Sequence, residues 1–405
     1  MEKNKYLFIC STYPEDLDSF FLKLSGKDST TSGNIHSLSI IKALNNLGYK
    51  NFVISGASIG HFPLNSHVKK VPSVKVSNSF FCVGYNNHFL VSQQSKAKAI
   101  YKCYKKYCND RSSNINILLA DIHEPFARAA LKIKRLNPNA RIVNICLDVP
   151  DTIKSSNETK LRRFLKKISV KRNNKLLTKM DGFVVLSKEM IKRLPINGKP
   201  VLVSPCLAES NLYSEFKKQN DEKIKVVYCG VLSRQYNADF LLDAFSKIED
   251  ERFELYLAGK GDAVELIKEK SQLNNRIHYL GELSRKDALQ LQLNANVLVN
   301  PRLPENTYTS FSFPSKTISY LLSNNPVVCY TFSSFPNDIK KMVFEPKATT
   351  PESLAEAIIE ASTKKSKADF SVLKKYSPEE FINRIDKLFA IIRNDEEKNC
   401  ILSIE

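Results

Sequence analysis

Two parallel α/β domains in tandem, each a doubly wound sheet with helices on both faces, are what this sequence predicts. Three observations lead there. Short apolar runs alternate with segments of helical periodicity along nearly the whole chain. Those runs lack polar alternation, as strands buried on both faces require. A polar, proline-containing stretch over 195–225 interrupts the alternation once, near the middle of 405 residues, a length suited to two domains.

Taken in order, "KYLFICS" (5–11) reads as a strand. "SGNIHSLSIIKALNNLGYKNFVISG" (32–56) reads as a helix with Ile35, Leu38, Ile41 and Leu44 on one face, a stop at Gly48, and a second strand. "KAKAIYKCYKKYCND" (96–110) has the spacing of a helix that buries Ile100, Tyr104 and Tyr107. The strand, helix, strand pattern returns in "INILLADIHEPFARAALKIKRLNPNARIVNICLDVPD" (115–151) and begins again with "DGFVVLS" and "KEMIKRL". After the central stretch, "KVVYCG", "FELYLAG", "RIHYLG", "ANVLVNP" and "NPVVCYT" read as strands. Between them "ADFLLDAFSKI", "AVELIKEKSQL", "SRKDALQLQLN" and "SKTISYLLSN" read as helices.

Composition narrows the function. Nine cysteines without a C-x-x-C pair suggest reduced thiols used as small core residues, not a disulfide framework or a zinc site. No segment approaches the roughly 20 apolar residues of a membrane span, and the N-terminus has no signal-peptide core. The net charge of +19 is uneven: residues 1–205 carry 34 basic and 13 acidic side chains, residues 206–405 carry 27 and 29. The first half is thus drawn to something anionic. Between Lys154 and Lys179 ten basic residues and one acid, Glu158, are interleaved with Leu161, Phe164, Leu165, Ile168, Val170 and Leu176. That basic amphipathic pattern suits either an anionic membrane surface or a solvated helix of the domain. No RNA-recognition signature accompanies the charge, so nucleic acid is not an expected partner.

In open parallel sheets, ligands gather beyond the carboxyl ends of the strands. Four loops of the second half lie there: "SPCLAES", "CGVLSRQYN", "AGKGD" and "NPRLPENTYTSFSFPSK". Gly230 follows a strand, Arg234 precedes a helix and Lys316 opens another, so two cations join two helix N-termini, an arrangement suited to a diphosphate. A solvated lysine on a capped helix is the alternative for Lys316.

These segments, with "VVYCGVLSRQYNADFLLDAF", "FELYLAGKGD", "RIHYLGELSRKDA" and "YTSFSFPSKTISYLLSNNPVV" in this order, resemble the donor-binding half of family 4 glycosyltransferases of the GT-B fold. The bacterial branch that assembles capsular polysaccharide, exopolysaccharide or lipopolysaccharide is the most similar. "HEP", "LDVPD" and "DGFVVLS" extend the resemblance into the first half.

The resemblance implies two Rossmann-like domains facing a central cleft, 1–205 for the acceptor and 206–376 for a nucleotide-sugar, with about 377–405 packing back on the first. It implies a retaining, metal-independent hexosyl transfer from a nucleotide-diphosphate sugar, a UDP-sugar being expected, with no cofactor. The acceptor would be a glycan or a lipid-diphosphate-linked glycan at the cytoplasmic membrane face. By the same resemblance His123, Arg234 and Lys316 would be catalytic; Gly230, Gly259, Gly261, Ser315 and Ser319 would join Arg234 and Lys316 at the nucleotide; Gly33 and Asn34 would face the acceptor.

Each has a plainer alternative: His123 as a structural histidine, Gly33 as part of a helix N-cap. The family's two glutamates fall at Phe311 and Ser319, so a neutral hydroxyl would stand where a carboxylate binds ribose. A nucleotide-sugar epimerase of the same fold and a non-catalytic relative are the other readings.

Overall fold

The computed structural model describes residues 4–25, 32–109, 114–149, 160–219, 222–304, 309, 311–394 and 400–403. The chain divides into two compact units, Met1–Ser204 with Pro378–Ile404, and Pro205–Ser377.

The first unit supplies strands β1 (Lys5–Cys10), β2 (Lys50–Ser55), β3 (Val74–Lys75), β4 (Phe80–Cys82), β5 (Ile115–Ala120), β6 (Arg141–Cys146), β7 (Gly182–Val185) and β8 (Val201–Val203). Its main helices are α1 (Ser32–Asn46), α2 (Ser92–Tyr107), α3 (Glu124–Leu136), α4 (Lys160–Leu177) and α5 (Lys188–Arg193). The second unit supplies β9 (Ile224–Val231), β10 (Phe253–Lys260), β11 (Ile277–Tyr279), β12 (Val297–Asn300) and β13 (Val327–Cys329). Helices α6 (Ala238–Phe245), α7 (Val264–Leu273), α8 (Arg285–Leu293), α9 (Ser315–Leu322) and α10 (Pro351–Ser362) alternate with them. The chain then returns to the first unit through α11 (Pro378–Asn394) and β14 (Ile401–Leu402).

The first sheet has nine strands in the order β14, β8, β7, β6, β5, β1, β2, β4, β3, and the second has five in the order β11, β10, β9, β12, β13. Every pairing in both is parallel except β3 with β4. Both faces of the second sheet are covered. Val226, Tyr228, Leu255, Leu257, Val297 and Val299 bury one face among Leu241, Phe245, Ile267 and Ile358 of α6, α7 and α10. The alternate residues Val227, Cys229, Ala258 and Leu298 are also buried. An apolar run without polar alternation is therefore what the fold needs.

Helix α11 fastens the chain's end to the first unit. Phe381, Ile382, Ile385, Leu388 and Phe389 are fully buried, and its Asp386 accepts hydrogen bonds from the Tyr6 and Tyr49 hydroxyls.

Three details depart from the reading of the sequence. Val201–Val203, within the polar stretch, forms strand β8, which two-residue β14 pairs in parallel from the far end of the chain. On α1, Ile40, Ala43 and Leu44 carry the deepest burial, while Ile35 and Leu38 are half-buried near the helix start. On α2, Ile100 and Tyr104 are buried but Tyr107 is exposed and stacks on Phe81 at 4.2 Å; Lys96 takes an interior position.

Candidate functional site

In the second unit the cations collect around the carboxyl ends of β9 and β12. Helix α9 starts after Pro314, and its first turn is tied to β12 by Asn300 Nδ2 donating to Thr317 Oγ1 at 3.3 Å. Ser334 Oγ donates to the carbonyls of Thr309 and Ser312, and Phe311 and Phe313 are buried, so the Phe-Pro-Ser-Lys turn is pinned from behind.

Lys316 then runs across Gly230: a Cβ built on that glycine would lie 3.1 Å from Lys316 Cε and 3.0 Å from Tyr228 Oη. Gly230 is what leaves room for the lysine. Burial holds the Lys316 ammonium below the usual lysine range and the Arg302 guanidinium pushes the same way, against the Cys229 thiol. A half-buried cation beside a second one is a natural place for an anion.

Arg302 follows β12 and lies over the Tyr236 ring at 4.1 Å. The next residue, Leu303, donates its N–H to Asn237 Oδ1 at 3.2 Å. Asn237 has φ 62°, a left-handed conformation that asparagine tolerates, and ends the short turn Arg234–Tyr236 before α6. Arg234 is exposed, and its own N–H donates to Asp262 Oδ1 at 2.9 Å. The structure thus joins Gly230 and Lys316 closely, brings the Arg302 charge within electrostatic reach of that lysine and places Arg234 on the turn that Arg302 braces. Arg302 was missed in the sequence, although "VLVNPR" puts it at a strand's carboxyl end. Ser233 Oγ, Asn300 Oδ1 and Ser312 Oγ are buried in this unit and have no hydrogen-bond partner among the described residues.

Gly259 and Gly261 have a structural reason of their own. At Gly259, φ 139°, a Cβ would sit 1.8 Å from the Gly230 carbonyl oxygen; at Gly261 it would sit 2.0 Å from that of Leu232. Neighbouring backbone demands both glycines. Ser315 is exposed at the first position of α9. Ser319 Oγ donates back to the Lys316 carbonyl at 2.9 Å, which leaves its lone pairs for a partner.

In the first unit, β5 ends at Ala120, and the next residue, Asp121, has a φ of 62° that turns the chain sharply toward α3. His123 occupies the N-cap position of α3 without a side-chain cap bond, so its ring nitrogens are not spent on capping the helix. Asp121 Oδ1 accepts the Ile122 N–H at 2.8 Å, and Oδ2 lies 3.7 Å from His123 Nε2. The ring meets Phe126 edge-on at 5.1 Å and keeps 41% of its surface open. It forms part of the wall of a cavity of about 400 Å³. Burial holds the imidazole below its ordinary pKa, the Asp121 carboxylate opposes this and the Lys96 ammonium adds to it. Gly33 and Asn34 open α1, where Thr12 Oγ1 donates to Asn34 Oδ1 at 3.0 Å and ties the helix start to the loop after β1.

Residues 223–364 match the family model for glycosyl transferases group 1. No curated protein matches the chain. Among solved structures, a sucrose-phosphate synthase from Thermosynechococcus elongatus is similar at 15% identity over 98% of both chains, with a TM-score of 0.61. An α,α-trehalose-phosphate synthase (UDP-forming) from Burkholderia xenovorans is similar at 9% identity over 95% of this chain and 100% of that one, with a TM-score of 0.62. The Anabaena protein HepE, solved in complex with UDP, is similar at 13% identity over 97% and 98%, with a TM-score of 0.56. At such identities the likeness speaks for the fold. The chain has the GT-B fold, and within it residues 223–364 are similar to the glycosyl transferases group 1 family.

Proposed function

We propose that this protein is a retaining, metal-independent glycosyltransferase that moves a hexose from a nucleotide-diphosphate sugar, preferably a UDP-sugar, to a glycan or lipid-linked glycan in cell-surface polysaccharide assembly. The reading rests on one feature of the second unit: Lys316 threaded over Gly230 beside Arg302, within the segment that matches the family model. In this account Lys316, Arg302 and Arg234 take up the charge that develops on the departing diphosphate, which lowers the barrier more than it tightens donor binding. His123, with its ring open and partly balanced by Asp121, acts on the transferred sugar from the acceptor side.

The acceptor reading extends to a membrane. Helix α4 carries exposed Lys167, Lys171, Arg172 and Lys175, while the side chains of Arg162, Arg163 and Phe164 lie outside the described residues. In the same unit, Leu64 and Leu90 are 65% and 70% exposed on loops joined by the Phe89 N–H donating to the Phe62 carbonyl. Cations beside exposed apolar tips suit reversible docking on an anionic cytoplasmic leaflet. No helix among the described residues is long and apolar enough to cross a membrane.

A binder without turnover is the second reading, favoured by buried Phe311 and by Ser319, which offer no carboxylate to a ribose. Incubating the protein with a panel of nucleotide-sugars and following the anomeric protons by NMR tests both. Transfer or slow hydrolysis giving first the donor's own anomer supports the enzyme. Nucleotide binding with no turnover of any donor supports the second reading, and inverted product overturns retention.

A further inference from the structure

The cavity beside His123 holds more positive charge than a neutral sugar acceptor requires. Its walls include His61, Gln93, Arg172 and Asn173. Arg172 is exposed on α4 and pairs with no carboxylate among the described residues. His61 is held through Nδ1 by Ser92 Oγ at 3.1 Å, so Nε2 is the ring's remaining polar atom. Behind it lies Lys96, 6% exposed, whose contacts are the Ala57 carbonyl at 3.3 Å and the Tyr85 ring at 4.5 Å; no acid pairs with it among the described residues. The chain makes room for this lysine, because a Cβ on Gly56 would lie 2.9 Å from Lys96 Cδ.

Burying an ammonium without a counter-ion is costly unless something else supplies the charge. The one carboxylate in the wall, Glu124, is already engaged by Arg128 at 2.7 Å, and Asp121 is committed to the Ile122 N–H and to the neighbourhood of His123. The unbalanced cations in and behind the cavity are therefore Arg172 and Lys96, while burial and the Lys96 ammonium hold the His61 imidazole below its ordinary pKa, so that it offers Nε2 as a neutral ring atom. Gln93 and Asn173 add donors and acceptors suited to hydroxyls, and Phe89 adds an apolar wall.

We propose that this cavity binds an acceptor that carries a phosphate, with Arg172 and His61 at the phosphate, Gln93 and Asn173 at its hydroxyls, and buried Lys96 supplying the balancing field. The inference rests on the first unit being the acceptor side. A phosphate fits better than a carboxylate because a dianion matches several cations, and arginine's planar fork can bind two of its oxygens.

The test is calorimetric titration of the full chain carrying Arg234→Ala, Arg302→Ala and Lys316→Ala, which removes the cations of the second unit's own anion site. The probes are glycerol 3-phosphate, glycerol, and vesicles of phosphatidylglycerol, which distinguish a free phosphate from one offered at a lipid surface. Binding of glycerol 3-phosphate or of the vesicles, weakened at least tenfold by Arg172→Gln and by Lys96→Met but largely kept by Arg172→Lys, upholds the proposal. Equal heats from glycerol and its phosphate, binding indifferent to Arg172→Gln, or no binding of either phosphate overturns it. Arg172→Gln decides alone if Lys96→Met loses its far-UV circular dichroism. A parallel UDP titration of the unsubstituted protein separates the two readings: UDP binding without phosphate binding removes this inference only, and the reverse removes the donor assignment.

Discussion

Gly230 and Lys316 show how a single residue sets the site, since the side chain of one occupies the space that the other leaves empty. If the lysine stabilises the leaving diphosphate, Lys316→Ala should lower turnover about a hundredfold, as removal of one oxyanion donor does elsewhere. Gly230→Ala should do likewise by displacing the lysine. Arg302→Ala should fall in the same range, with an added loss of order in the Arg234 turn, because Arg302 lies on Tyr236. Steady-state rates at saturating donor check all three; an unchanged rate in Lys316→Ala contradicts the assignment. His123 is separable: His123→Ala should cut transfer severely and leave UDP affinity within about twofold, since the nucleotide is assigned to the other unit. Equal loss of UDP affinity and thermal stability would mark it as structural. Lys316 was legible in the sequence because it stands alone at a helix start after a strand's carboxyl end. Arg302 and Lys96 were not legible. Arg302 matters through a stacking contact with a ring 66 positions away, and Lys96 interrupts a helix whose apolar spacing pointed to Tyr107 as the third buried residue.

At the scale of elements, α11 is the joint on which the first unit depends. Its buried Phe389 packs edge-on against Tyr6 at 6.0 Å, so Phe389→Ala should cost about 3–5 kcal/mol, read as a shift of the urea midpoint. UDP affinity should persist at low urea, because the second unit builds its site without α11. The same joint carries a pH dependence. His36 on α1 meets Phe381 edge-on at 5.9 Å, and burial pushes its pKa down to about 4. An unfolded chain takes up that proton at about 6.5, the folded one only near 4, so the unfolded state binds more protons in between and stability falls as the pH drops through that window. Between pH 7.5 and pH 5 the His36 contribution should shrink by about 2 kcal/mol. His36→Phe, which keeps a ring against Phe381, should flatten the midpoint-against-pH curve by that amount. A variant curve parallel to the parent's would contradict it. The long helices and central strands were legible because each has a strong period or a continuous apolar run. Two-residue β14 has neither, and β8 exists as a strand only where the sheet of the first unit receives it.

At the scale of the whole molecule, the proposed division of labour accompanies an uneven charge: 34 basic against 13 acidic residues in 1–205, near balance afterwards. Exposed Lys167, Lys171 and Lys175 on α4 should together contribute about 3 kcal/mol to docking on an anionic leaflet, at about 1 kcal/mol each. Replacing the three with glutamine should weaken sedimentation with acidic vesicles about a hundredfold at low salt and leave neutral vesicles unbound. Equal binding to neutral vesicles would remove the membrane reading. What no single side chain can supply is the donor assignment, which requires one unit to bind the nucleotide by itself. The most direct test is isothermal titration of the protein and of Lys316→Ala with UDP and a panel of UDP-sugars. The account predicts saturable one-to-one binding of UDP to the parent and at least tenfold weaker binding to the variant at unchanged circular dichroism. UDP and UDP-sugar affinities that are the same in both proteins, or no binding to the parent at millimolar ligand, would contradict it.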